Sequence, residues 1–226
     1  GRPHCDDLPL RGPAGEIQAR SQTVFRAGDG HLIPYADFGK YELHDMRIVG
    51  GRFGGRVINP PRNLRARPTT DFAKENLFNV LGNLLELEDI EVLDLFSGTG
   101  SISYEFVSRG AASVTSVEVN AVHHNFIRRT AASFGMDNLY AVRANVFLYL
   151  KSASKRFDVI FSDAPYDLEG SAQVVELVFD RGLLRPGGVL VFEHSKEHSF
   201  EGHPALLQVR TYGSVRFSIF RMPEEE

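Results

Sequence analysis

The sequence predicts a doubly wound α/β domain: a mostly parallel seven-stranded sheet, finished by a C-terminal antiparallel hairpin and preceded by a small N-terminal β-hairpin. Three observations carry this prediction. Val92-Leu93-Asp94-Leu95-Phe96-Ser97-Gly98-Thr99-Gly100-Ser101 is an apolar run that ends in a carboxylate and a glycine-rich turn, and a helical stretch over 102–109 follows and stops at Gly110. Strand, tight loop and helix in that order open a doubly wound sheet. A second apolar run, Val114-Thr115-Ser116-Val117-Glu118, again ends in an acid. The last two strand-like runs are separated by little more than Gly213, which leaves room only for antiparallel pairing.

Composition bounds the class. The chain has 226 residues, 42% apolar and 24% charged, as ordinary globular domains do. No apolar run reaches membrane-spanning length and no secretory signal is visible. A single cysteine, Cys5, excludes an internal disulfide framework and fits a reducing cytoplasm. The net charge of -4 conceals a local excess. Residues 46–70 hold six arginines (47, 52, 56, 62, 65 and 67) with no lysine and no acid. Arg47, Arg52, Arg56, Arg62 and Arg65 are therefore candidate phosphate contacts; a solvated charged face is the blander reading.

Taken in order, residues 1–45 are rich in Gly, Pro, Asp and Arg and lack periodicity. They are expected to be a poorly structured leader or an expression-derived extension ahead of a start at Met46. The alternative is a natural extension that docks Phe25, Leu32-Ile33 and Tyr35. Residues 46–70 read as an arginine-rich β-hairpin and loop ended by Pro60-Pro61. Thr70 or Asp71 can cap a helix whose apolar stripe is Phe72, Leu77, Phe78, Val80, Leu81 and Leu84-Leu85, ending near 83–86. The sheet domain, 71–226, then alternates: strand 90–96, helix 99–109, strand 113–119, helix 120–134, strand 139–143, a short helix from 146, strand 157–162, and helix 172–181. A fifth strand, 188–193, is entered through Pro186-Gly187-Gly188, and the hairpin 205–212 and 214–221 closes the chain.

The chemistry follows from the strand ends. Gly98 and Gly100 let a ligand sit against bare backbone, and the N–H groups opening the next helix point into the same space. Glu118 at the next strand end can accept both hydroxyls of a ribose, so a nucleoside-containing cofactor is expected. Asp94 would repel a pyrophosphate but suits the cationic amino-acid end of S-adenosylmethionine. Asp163-Ala164-Pro165-Tyr166 closes another strand and resembles the (Asn/Asp)-Pro-Pro-(Tyr/Phe) signature of enzymes that methylate exocyclic amines of nucleic-acid bases. A parallel sheet ending in an antiparallel hairpin is also the Rossmann-like architecture of class I S-adenosylmethionine-dependent methyltransferases.

From Met46 to about Arg221 the chain resembles the small-subunit (16S) ribosomal RNA guanine-N2 methyltransferases of the RsmD type. Four blocks carry the resemblance: Met46-Arg47-Ile48-Val49-Gly50-Gly51, Arg67-Pro68-Thr69-Thr70-Asp71, Leu93-Asp94-Leu95-Phe96-Ser97-Gly98-Thr99-Gly100 and Asp163-Ala164-Pro165-Tyr166. Ser108-Arg109-Gly110-Ala111 also fits. The resemblance implies S-adenosylmethionine as cofactor, S-adenosylhomocysteine as product, and small-subunit rRNA, within an assembled or assembling subunit, as partner. It implies catalysis at Asp163, Ala164, Pro165 and Tyr166. It implies cofactor contacts at Arg67, Thr69, Asp94, Phe96, Ser97, Gly98, Gly100, Glu118, Asn145 and Val146. Two departures stand out. Ala164 replaces a proline, which loosens the loop but keeps the carbonyl that accepts from the target amine. Asn145 stands where an aspartate often holds the adenine amino group.

His123-His124 point apart on a helix, and His194, His198 and His203 lack ligand spacing and read as surface or loop residues, so no metal is expected. Phe126, Phe134, Phe147, Phe157 and Phe161 read as core. A monomer and a cytoplasmic location, without membrane contact, complete the expectation. Two other readings stay open: a DNA adenine or cytosine amino-methyltransferase, and a non-catalytic RNA-binding or assembly protein that keeps the fold.

Overall fold

The computed structural model describes residues 46–60, 64, 69–196, 198–213 and 215–224, and the backbone of 24–26 and 32–34. The chain divides into two units, Gly1–Leu43 and His44–Glu226. In the first, β1 (Val24–Arg26) pairs antiparallel with β2 (Leu32–Pro34), Phe25 opposite Ile33. The remainder of the expected leader, and Arg62, Arg65 and Arg67, lie outside the described residues.

In the second unit β3 (Met46–Arg47) and β4 (Val57–Ile58) form the expected hairpin. Then come α1 (Asp71–Gly82), β5 (Glu91–Leu95), α2 (Ser101–Ser108), β6 (Ser113–Val117), α3 (Ala121–Phe134) and β7 (Leu139–Val142). The chain continues through α4 (Val146–Ser152), β8 (Phe157–Asp163), α5 (Gln173–Asp180), β9 (Leu184–His194), β10 (Leu206–Tyr212) and β11 (Val215–Arg221). The seven-stranded sheet has the order β10-β11-β9-β8-β5-β6-β7, with β11 antiparallel to β9 and to β10 and the other pairs parallel. Strand order reverses between β5 and β8, and ligands of open α/β sheets bind at such a switch point.

Period-two alternation divides the core between the sheet faces. Val92, Val114, Val159, Phe161 and Val191 pack under α1, α2 and α3, while Leu93, Leu95, Ile160, Leu190 and Phe192 pack against α4 and α5. Phe126, Phe157 and Phe161 are buried as expected, and Phe134 and Phe147 pack against the core half-buried. No helix among the described residues is long and apolar enough to cross a membrane.

Two local readings are corrected. Phe72, placed in the apolar stripe of α1, is exposed and meets Tyr212 edge-on at 6.2 Å, while the buried stripe takes in Lys74. Pro186-Gly187-Gly188 is not a loop before β9 but a bulge inside it. Phe157 pairs with Leu184 and Val159 already with Val189, so the extra residues loop out within a continuous strand.

The hairpin arm lies along α2, and its direction matters for the arginines. Thr99 Oγ1 reaches Met46 Sδ at 3.3 Å, Val49 N–H donates to Glu105 (2.6 Å), and Arg52 N–H donates to the Ser108 carbonyl (2.7 Å). The arm thus runs from the glycine-loop end of α2 to its far end before turning back. Glu105 binds it by accepting also from Gly50 N–H and pairing with the buried Lys74 and with Arg109.

Candidate active site

Four acids and an amide line the carboxyl edge of the sheet. In spatial order they are Glu193 (β9), Asp163 (β8), Asp94 (β5), Glu118 (just after β6) and Asn145 (after β7). Asp94 pairs with Phe161 and Asp163 with Glu193 in the parallel register. With a side-chain period of two, Asp94, Asp163 and Glu193 therefore project from one face.

The glycine loop turns tightly after β5. Phe96 has φ +56°, an uncommon conformation for a non-glycine residue, and its ring meets Phe147 of α4 edge-on at 6.2 Å. Ser97 Oγ donates to the Asp94 carbonyl (2.7 Å), tying the turn to its strand. Gly100 has φ +84°, and a Cβ there would stand 2.8 Å from the Tyr104 ring, so α2 packs directly on the loop. A Cβ on Gly98 would instead enter open space, its nearest neighbour being 4.0 Å away. That leaves a bare stretch of backbone with room beside it, as expected from the sequence for a nucleoside cofactor.

The carboxylates have distinct settings. Asp94 is fully buried, and burial first, with the charge of Asp163 also contributing, pushes its pKa up to about 7 against the opposing hydrogen bond from Ser103. Glu118 accepts from Gly98 N–H through Oε2 (2.8 Å) and from Asn120 N–H through Oε1 (2.7 Å). It thereby holds the glycine loop and the start of α3 together at the strand end where ribose hydroxyls are expected. Asn145 caps α4, its side-chain oxygen accepting from Leu148 N–H (3.2 Å). Val146 begins the helix behind it. Thr69 is half-buried just before Thr70, which caps α1 by accepting from Ala73 N–H.

On the other side of the switch point Asp163 ends β8, Ala164 is buried, and Pro165 accepts from Leu168 N–H (2.9 Å) to form a turn. Tyr166 is 43% exposed, and its hydroxyl donates to Glu193 Oε1 at 3.2 Å. Glu193 was not foreseen. Nor was His194, which is a buried strand residue and not a loop histidine. Its Nδ1–H donates to the Ser195 carbonyl and its Nε2 accepts from Ser218, both at 2.7 Å, while burial lowers its pKa.

Among the described residues, Arg47, Arg52 and Arg56 do not form one patch beside this site. Arg47 stays at the glycine-loop end, paired with Asp71 at 3.0 Å. Arg52 is held at the far end of α2, about 12 Å along the helix axis for its eight residues. Arg56 lies on the returning side of the hairpin, its carbonyl accepting from Ile48 N–H (3.0 Å), and only its guanidinium reaches back. Both guanidinium groups cover the Phe53 ring, Arg56 also covers Phe134, and the two rings stack at 6.3 Å. Stacking on these rings, invisible in an arginine count, draws the two guanidinium groups away from Arg47.

A family model described as Conserved hypothetical protein 95 matches residues 46–221. The chain belongs to this family. Among curated proteins similar to this Conserved hypothetical protein 95 member is the Ribosomal RNA small subunit methyltransferase D of Escherichia coli K12, 27% identical over 179 residues that cover 78% of this chain and 89% of that protein. The protein of the same name from Buchnera aphidicola (Baizongia pistaciae) is 29% identical over 154 residues, covering 68% and 78%. Among solved structures, the Escherichia coli protein yhhF superposes with a TM-score of 0.70 at 26% identity, covering 80% of this chain and 99% of that one. The Thermus thermophilus 16S rRNA N2 G1207 methyltransferase (RsmC), solved with AdoMet and guanosine, shares the fold alone: TM-score 0.63 at 21% identity, covering 79% and 49%. The RsmD-type resemblance and the class I methyltransferase fold expected from the sequence are both borne out.

Proposed function

We propose that this protein transfers a methyl group from S-adenosylmethionine to the exocyclic N2 amine of a guanine in small-subunit rRNA, in the cytoplasm where subunits assemble. The observation that carries this reading is the placement of Asp163-Ala164-Pro165-Tyr166 directly across the switch point from the glycine loop. The names of the Conserved hypothetical protein 95 relatives support it.

The cofactor supplies an already activated methyl group, so the chain's task is positioning. Asp94 faces the cationic amino end, the bare backbone at Gly98 receives the nucleoside, and Glu118 receives the ribose. Asp163 and the Ala164 carbonyl accept from the target amine, which localises a lone pair otherwise spread into the ring. Tyr166 stacks on a base drawn out of its RNA context. A strong general base is unnecessary, because the proton leaves once the nitrogen has become cationic. Arg47, Arg52 and Arg56, with Arg62 and Arg65, contact phosphates, and the separation of Arg52 and Arg56 from the site makes this a footprint wider than one nucleotide.

Transfer of a labelled methyl group to unmodified small ribosomal subunits tests the reading, with naked rRNA, duplex DNA and Asp163→Ala alongside. Label on guanine that vanishes in the variant is the expected result. Label on DNA alone, or none with cofactor bound, would reject it.

A further inference from the structure

We infer that Glu193 is the specificity-determining residue that selects guanine, its carboxylate accepting the N1–H of the target base while Asp163 and the Ala164 carbonyl hold the adjoining N2 amine. This rests on the reading of the site as a base amino-methyltransferase and adds a residue to it.

Position comes first. The glycine loop and Glu118 claim the β5–β6 side of the switch point for the methyl donor, so the acceptor lies over β8 and the next strand out. That strand is β9, and its residue level with Asp163 is Glu193. Neighbouring strands lie about 4.8 Å apart, which puts two carboxylates side by side on one sheet face, within the span of one base edge. Burial comes second: Glu193 is only 5% exposed, and a buried carboxylate needs donors. The third observation is its contact with Tyr166, the residue expected to stack on the base. When the ring moves onto the base, the hydroxyl leaves Oε1 and the N1–H takes its place, so one donor is exchanged for another.

The chemistry discriminates. Guanine carries two adjacent donors, N1–H and the N2 amine, on the edge that faces Asp163 and Glu193. Adenine N1 and cytosine N3 present a lone pair at the corresponding place, which a carboxylate repels. A pair of acids thus accepts guanine and rejects the other amino bases by direct electrostatic conflict. Glu193 takes no proton in this scheme; it is an acceptor throughout.

The test is a change of selectivity in Glu193→Gln, which is nearly isosteric. Small subunits are assembled with guanosine or 2-aminopurine riboside at the labelled position, and kcat/KM for methyl transfer is compared. 2-Aminopurine keeps the N2 amine but presents a bare N1. Wild type favours guanosine by at least ~100-fold. Gln can donate to a bare N1, so the variant narrows that ratio about tenfold or more. A purely structural Glu193 would lower both substrates equally and leave the ratio unchanged, which would overturn the inference. A second readout does not depend on transfer. In saturation-transfer NMR, free guanosine and inosine should bind wild type better than adenosine and 2-aminopurine riboside, with the difference narrowed in Glu193→Gln, whose amide can both accept from N1–H and donate to a bare N1. If wild-type protein labels no guanine in subunits, the proposed function fails, while the nucleoside order still decides the role of Glu193: equal binding of all four in both proteins would reject it.

Discussion

Lys74 and Glu105, both buried, face one another at 3.3 Å where α1 meets α2. Lys74 Nζ also donates to the Arg47 carbonyl, and Glu105 accepts from Val49 N–H, so this pair fastens the N-terminal arm to the sheet domain. Breaking a buried pair leaves an uncompensated charge. Glu105→Leu strands two backbone donors and leaves the buried lysine only Asp71 at 3.4 Å and the Arg47 carbonyl, and should cost about 3–5 kcal/mol. Lys74→Met leaves Glu105 with Arg109 and its backbone partners, and should cost less, about 1–3 kcal/mol. Urea unfolding at constant m-value checks the order.

Gly51 sits at φ +74° with the Ser108 carbonyl oxygen only 2.0 Å from where a Cβ would stand. Gly55, at φ +83°, has open space around it. Gly55→Ala should therefore cost only the conformational penalty, about 1–2 kcal/mol. Gly51→Ala should cost clearly more and should also expose the arm to proteolysis near residue 51. Similar midpoints for the two variants would mean that the arm is not held against α2.

The raised pKa of Asp94 fixes the sign of a pH effect. Between the ordinary carboxyl value of 3.8 and about 7 the folded protein holds a proton that the unfolded chain has lost. Stability therefore falls as pH rises through this window, and it is fully present only below it. Asp94→Asn should flatten the fall and stabilise the ligand-free protein at pH 8. Binding of the cationic cofactor should favour the ionised acid and release a proton near pH 6. Calorimetry in two buffers of different ionisation enthalpy would read that proton directly.

Arg52→Ala and Arg56→Ala should weaken binding to small subunits and lower the slope of log K against log salt by about one each. S-adenosylmethionine affinity should not move, because both guanidinium groups stack on Phe53 at the far end of α2. A loss of cofactor affinity would place them in the site after all.

What was legible in the sequence followed local rules. The β-branched runs, the Gly98–Gly100 turn and the acids ending β5 and β8 report on backbone conformation within a few residues. What escaped depends on partners far along the chain. Lys74 looks like a solvated helix residue paired with Asp71 until Glu105, thirty-one positions later, adds a buried counter-charge. Glu193 looks like any strand-end acid until the register sets it beside Asp163. The Pro186–Gly188 bulge carries the same residues that would open a strand, and only the pairing of Phe157 with Leu184 distinguishes the two.

Glu118 grips Gly98 and Asn120 with the same carboxylate that the proposed function assigns to the ribose. Any change made there to admit a different sugar would also release the glycine loop. On the proposed reading, altered cofactor preference is to be sought around Phe96, whose ring meets Phe147 and ties down no backbone group. If Glu118 does hold the ribose, the residue under most selection for a new nucleoside is also the one least free to evolve.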